Sequence, residues 1–162
     1  LDLVFKNYTS GKDPGEKFFR EVLDVGIREL KIKDKNVEVS LNLVGEAKIR
    51  ELNKKYRGKN KITDVLSFPL EEPRLKKHGI LPLGDIFICL PFAIKEVESR
   101  RRRNAKDSSR GAERQDVSLK KELAWLTVHG FLHLLGYDHD KSAEDKKKMF
   151  RLESKIFKYL NI

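Results

Sequence analysis

Residues 128–139 run Val128, His129, Gly130, Phe131, Leu132, His133, Leu134, Leu135, Gly136, Tyr137, Asp138, His139, so three of the chain's 4 histidines stand inside a single apolar stretch. His129 and His133 are four residues apart. On an α-helix that spacing puts both on one face with Cβ atoms about 5–6 Å apart, close enough to share a metal ion. Gly136 can then stop the helix, because glycine takes the left-handed conformation without a Cβ penalty, and the reversed chain brings His139 round as a third ligand. Three imidazoles with one position left open is the arrangement of a catalytic zinc site. An isolated pair at this spacing recurs by chance in apolar helices; the third histidine and the glycine between turn the balance toward a metal. One zinc ion suits an all-imidazole site best, while ligand type alone leaves nickel, copper and iron open.

The same stretch bounds the class of protein. From Leu123 to Leu135 the chain is largely apolar for 13 residues, too few to span a bilayer, so this is expected to be a buried core helix and no membrane partner is expected for it. The opening residues, starting at Leu1 rather than a methionine, alternate instead of setting a basic region before an apolar block, and no secretory signal is read in them. The 162 residues are expected to form one domain, 1–162, around a single sizeable core. Lys and Arg number 35 against 25 Asp and Glu, and the net charge of +10 points to a polyanionic partner, nucleic acid or an acidic surface. The single cysteine, Cys89, excludes an intramolecular disulfide and fits a reducing, cytoplasmic compartment; it follows a strand-like run as a small core residue.

Taken in order, Leu1, Val4 and Phe5 mark a short strand closed by turn-forming residues 10–13. Asp13 with Glu16 resembles a capping box, with Pro14 at the first helical position. Phe18, Phe19, Val22, Leu23, Ile27 and Leu30 then make the apolar face of a helix packed on a sheet. Val37, Val39, Leu41 and Leu43 alternate with Glu38, Ser40 and Asn42, which predicts a half-buried strand. A second helix from Gly45 carries Ile49 and Leu52 inward and ends near Tyr56. Residues 53–61 that follow hold five cations (Lys54, Lys55, Arg57, Lys59, Lys61), one aromatic (Tyr56) and no acid. Most such loops are merely solvated, but this one leads into the strand 62–69, and a basic aromatic loop on a rigid strand can hold backbone phosphates and stack a base.

His78, in a Lys-Lys-His-Gly setting between prolines, is expected to face solvent and not to be a ligand. Residues 83–89 form an apolar strand, and Pro91 opens a helix through Ile94 and Val97. From Arg100 to Asp116 there are seven cations and three acids with little apolar content, a mobile basic insertion that is a plain solvated loop or an RNA contact. Ser118 caps the central helix, about Leu119 to Leu135, whose second half is apolar all round and must be enclosed. Ser142 with Asp145 caps a last helix with an inward stripe of Met149, Leu152, Ile156 and Leu160. The order of elements predicts an α+β fold: a small mixed sheet with helices packed on it and the metal ligands on a central buried helix.

The ligand spacing equals that of the extended zinc-protease signature H-E-x-x-H-x-x-G-x-x-H, but Gly130 stands where the proteases carry their glutamate general base. Peptide hydrolysis thereby loses the group that takes a proton from water. A phosphodiester makes a different demand, since the negative charge that builds up on it is best met by a guanidinium, and Arg57 is available.

The run from His129 to His139, together with Tyr56-Arg57-Gly58, the segment Thr63 to Pro69, Gly84-Asp85-Ile86, and Met149 and Glu153, resembles the YbeY family of bacterial rRNA maturation factors over nearly the whole chain. The resemblance implies a zinc-dependent, single-strand-specific endoribonuclease that acts in small-subunit (16S) rRNA 3′-end maturation and ribosome quality control, with RNA and the ribosome as partners. It implies that His129, His133 and His139 bind zinc and that Arg57 is the functional arginine of the RNA groove. Between Arg100 and Asp116 the chain is longer than the usual pattern. Asp138 is the acid nearest the ligands, with general base and helix stop as alternative roles, and Asp64 and Asp85 are expected to brace loops. A zinc peptidase with another base, and a non-catalytic ribosome-assembly factor with structural zinc, are the alternatives.

Overall fold

The computed structural model describes residues 1–33, 36–70, 80–106 and 118–162. Strand β1 (Asp2–Asn7) leads to helix α1 (Glu16–Glu29), and β2 (Asn36–Val44) to α2 (Glu46–Arg57); β3 (Val65–Pro69), β4 (Ile80–Cys89), α3 (Leu90–Lys106), α4 (Leu119–Leu134) and α5 (Ala143–Phe157) follow. The sheet order is β1-β2-β4-β3, with β2 parallel to both β1 and β4 and β3 antiparallel to β4. This is the mixed sheet of an α+β domain, as the order of elements predicts.

Period-two alternation decides which helix each face receives. Val37, Val39, Leu41 and Leu43 of β2 and Ile86 and Ile88 of β4 point to one side, where they pack with Phe19 and Leu23 of α1 and Leu123, Leu126 and Phe131 of α4. Val44, Leu66 and Cys89 point to the other, against Ile49 and Leu52 of α2. Because α2 covers that second face, β2 is buried on both sides from Leu41 to Val44 instead of half-buried along its length. Cys89 is a buried core residue. A further cluster of Val22, Ala124, Val128, Leu132, Met149 and Ile156 fastens α5 to α1 and α4.

Three local expectations change. Helix α1 begins at Glu16 after Gly15, with no side-chain cap. The Asp13 carboxylate accepts instead from Asn7 Nδ2 at 2.6 Å and Gly15 N at 2.7 Å, locking the turn after β1. Next, Arg100 to Lys106 continue helix α3, where the expectation was a mobile segment over 100–116; residues 107–117 lie outside the described residues, as does His78. Pairs one turn apart, Glu96 with Arg100 at 4.0 Å and Glu98 with Arg102 at 3.7 Å, give the arginine run a helical partner for its charge. Finally, α4 is enclosed on three sides only. Trp125 is 38% exposed and His129 and His133 are half-buried, so the stripe 125-129-133 is the open one. Among the described residues no helix is long and apolar enough to cross a membrane.

Candidate metal centre

Helix α4 is set rigidly before it presents any ligand. The Ser118 hydroxyl accepts from Lys121 N at 3.1 Å, satisfying a first-turn donor. Leu123, Leu126 and Phe131 are essentially inaccessible. At Gly130 the helix comes so close to the sheet that an added Cβ would lie 2.9 Å from both Ile86 Cγ2 and Ser67 Oγ. Position 130 therefore faces the sheet. Glutamate there would be driven into β3 and β4, so the peptidase alternative lacks its usual base for a steric reason.

The end of α4 makes the third ligand possible. Gly136 has φ +87°. Its N–H donates to His133 O at 3.0 Å and that of Tyr137 to Leu132 O at 3.1 Å, the paired closing bonds of a Schellman motif. The chain turns back, and the Asp138 carboxylate accepts from Asp140 N at 3.0 Å. That backbone bond holds the Asp138 carboxyl below the usual carboxylate range, which makes it a poor base and a good turn-former. His139 then faces the helix. The ring centroids of His129, His133 and His139 form a near-equilateral triangle with sides of 4.7, 5.1 and 5.1 Å.

Two of the imidazoles have a second contact that orients them. His129 Nδ1 lies 2.8 Å from Glu153 Oε1 on α5, both side chains largely buried. A carboxylate on Nδ1 fixes the tautomer with its lone pair on Nε2, directed at the other rings. His139 Nδ1 sits 2.9 Å from Asp140 Oδ1. The indole of Trp125 stacks on His129 at 5.0 Å with planes 25° apart. Burial, and then the neighbouring charges of His129 and His139, push the pKa of His133 down, so its ring favours the neutral form that a metal requires.

The donor set fits a tetrahedral cation. One ligand nitrogen from each histidine lies within 4.8 Å of the other two. Nε2 of His129 and Nε2 of His133 are 3.2 Å apart. Zinc–nitrogen bonds of about 2.05 Å at tetrahedral angles place two ligand atoms about 3.3 Å apart, so this pair is already at ligand spacing. The group can hold a metal ion.

The basic residues named from sequence gather at the end of α2 and on its return. Lys54, Lys55, Tyr56 and Arg57 form the exposed last turn of α2, which Gly58 closes with φ +66°, and Lys59 and Lys61 lie on the return. Lys59 N donates to Asn53 O at 3.2 Å and Asn53 Nδ2 to Lys61 O at 2.8 Å, folding that return back on the helix. Tyr56 rests on Phe68 of β3 at 4.9 Å. The cluster therefore stands at the edge-strand side of the sheet. The Asp64 carboxylate accepts from Val65 N at 2.8 Å and Thr63 Oγ1 at 3.0 Å, bracing the entry to β3 as expected. Glu153 is the group whose role sequence reasoning missed; its signal was an acid four residues after Met149 on an otherwise apolar, inward stripe.

The endoribonuclease YbeY family model matches residues 6–161. The chain belongs to the YbeY family. Among its YbeY relatives, the endoribonuclease YbeY of Sulfurihydrogenibium sp. (strain YO3AOP1) is 41% identical over 146 residues, 90% of this chain and 84% of the relative. That of Persephonella marina is 38% identical over 142 residues, 88% of this chain and 81% of the relative. The solution structure of TM1509 from Thermotoga maritima is similar in fold, with a TM-score of 0.55 and 26% identity over 96% of this chain and 89% of that one. YbeY membership makes the enzyme class a hydrolase of RNA phosphodiester bonds.

Proposed function

We propose that this chain is a zinc-dependent, single-strand-specific endoribonuclease of the cytoplasm, acting in small-subunit (16S) rRNA 3′-end maturation and in ribosome quality control. The observation that carries the metal-dependent reading is the convergence of His129, His133 and His139 on one point in a chain of an RNA-cleaving family. A zinc ion held by these three histidines would supply Lewis acidity toward a phosphoryl oxygen and water. His129, oriented by Glu153, and His133 come from one rigid helix and so fix two ligand directions. His139 would add the third from the turn after the helix. Arg57, with Lys54, Lys55, Lys59 and Lys61, binds phosphates of the incoming strand, and Tyr56 offers a stacking surface. Arg57 is the guanidinium that meets charge building on the phosphoryl group.

The test is cleavage of single-stranded RNA before chelation, after chelation and after zinc is restored. Activity should vanish and return, and His133→Ala should lose both bound zinc and cleavage while keeping its fold. A His133→Ala protein that retains zinc and cuts at the normal rate refutes the assignment. Arg57→Lys keeps the charge and loses the two-pronged donor, so cleavage should fall at least tenfold with thermal stability unchanged; unaltered cleavage removes Arg57 from the mechanism.

A further inference from the structure

One turn before His129 the open stripe of α4 runs into a cleft of about 550 Å³ between α3, α4 and the entry to β3. Its described lining is Asp64, Phe92, Glu96, Arg100, Glu122 and Trp125. In a chain of net charge +10 the described lining is acidic, three carboxylates to one guanidinium, and the guanidinium is occupied. Arg100 bonds to the Glu122 carboxylate, which is nine-tenths buried, and lies 4.0 Å from Glu96. The pair makes a rigid polar floor. Such a lining repels phosphate, so an RNA backbone lying at the metal seat would not enter here. A base can. Trp125 offers a large, 38% exposed aromatic surface beside Phe92, and stacking on aromatic side chains is how unpaired bases are held.

We infer that this cleft is a nucleobase subsite for the nucleotide flanking the cleaved bond, and that its carboxylates select guanine. The inference rests on the RNA-cleaving reading of the metal centre beside it. Trp125 stacks directly on His129, and four helical residues separate the two by about 6 Å along the axis, so a strand with a phosphate at the histidines delivers its neighbouring base to the indole. Carboxylates only accept hydrogen bonds when ionised. Guanine is the base with two adjacent donors, N1–H and the 2-amino group, on its Watson–Crick edge, and one carboxylate can take both. Glu96, with a side chain 43% exposed and not the main partner of Arg100, is placed for that contact. The cleft also accommodates a purine with room to spare.

Trp125 is the chain's only tryptophan, so its fluorescence reports the cleft without hydrolysis. Metal-free protein is titrated with single-stranded uridine tetranucleotides that carry one guanosine, one inosine or neither. Guanosine should quench the indole, with about tenfold weaker binding for inosine, which lacks only the 2-amino group. Glu96→Gln should erase that difference and leave the melting temperature unchanged. Absence of quenching, equal affinity for all three oligomers, or an unchanged guanosine preference in Glu96→Gln overturns the inference. Quenching by an arginine-rich peptide but not by RNA also overturns it, assigning the cleft to a protein side chain. Zinc-loaded protein separates this inference from the reading beneath it. Cleavage without quenching or base preference leaves the nuclease and removes the subsite; quenching with guanosine preference but no cleavage leaves a base-binding cleft and removes the nuclease.

Discussion

Replacing Glu153 by glutamine keeps the shape of α5's inward stripe and removes one negative charge from behind His129. The contact is 2.8 Å long, and the two side chains are 14% and 10% exposed, so solvent screens it little. A hydrogen bond to a charged group contributes about 1.5–3 kcal/mol and one between neutral groups about 0.5–1.5 kcal/mol. Glutamine retains an acceptor oxygen for Nδ1, so the loss is the difference, about 1–1.5 kcal/mol, or roughly tenfold in zinc affinity. Glu153→Ala removes the acceptor as well and should approach the upper end of the 10–100-fold range seen when such supporting groups are lost. The assay is competition for zinc between the protein and a chromophoric chelator at fixed pH, with thermal melts of metal-free and loaded protein. Because bound ligand adds stability as RT ln(1 + [L]/Kd), the zinc-induced gain should shrink by the same 1–1.5 kcal/mol at fixed excess metal. A folded Glu153→Gln protein that binds zinc within twofold of the original would refute the argument that this carboxylate tunes the ligand.

Gly136→Ala meets no atom within 4 Å, so its cost is backbone strain alone at φ +87°, about 1–2 kcal/mol in denaturant titrations; it should also weaken zinc binding by displacing His139, whereas a neutral outcome in both would mean the turn is not held by glycine. Cys89 should resist thiol reagents in the folded chain and react on unfolding, since burial, its largest influence, pushes the thiol pKa up and suppresses the reactive thiolate. The same shift has a sign for stability: its contribution is fully present below the unfolded thiol's pKa of about 8.5 and declines as pH rises beyond it. A Cys89→Ala protein should therefore lose less stability than the original between neutral and alkaline pH, and equal losses would contradict the burial argument.

The histidine cluster was legible because its logic is local. A helical repeat of four places His129 beside His133, and Gly136 reverses the chain, all within eleven residues. The sheet was legible in its strands, since Val37 to Leu43 alternate cleanly, but the cover that α2 gives the second face depends on tertiary packing that no window of sequence contains. Asp13 shows the limit of a capping pattern, because Gly15 leaves the helical track and gives the carboxylate better partners in the turn. Trp125 shows the limit of hydrophobicity. An apolar residue among apolar neighbours was expected inside, yet it lies on the one stripe of α4 that other elements leave open. Glu153 was visible in sequence only as a match to a pattern; its partner is 24 residues away, and nothing local pairs it with His129.

The sheet and the seat also belong to different parts of the chain. The four described strands are drawn from residues up to Cys89, whereas His129, His133, His139 and Glu153 all come from α4, its closing turn and α5. A chain made from its N-terminus presents these strands before α4, whose Leu123, Leu126 and Phe131 complete their core face. The last orienting carboxylate arrives only with residue 153, so the growing chain carries all the described strands before it carries the residues that converge on His129.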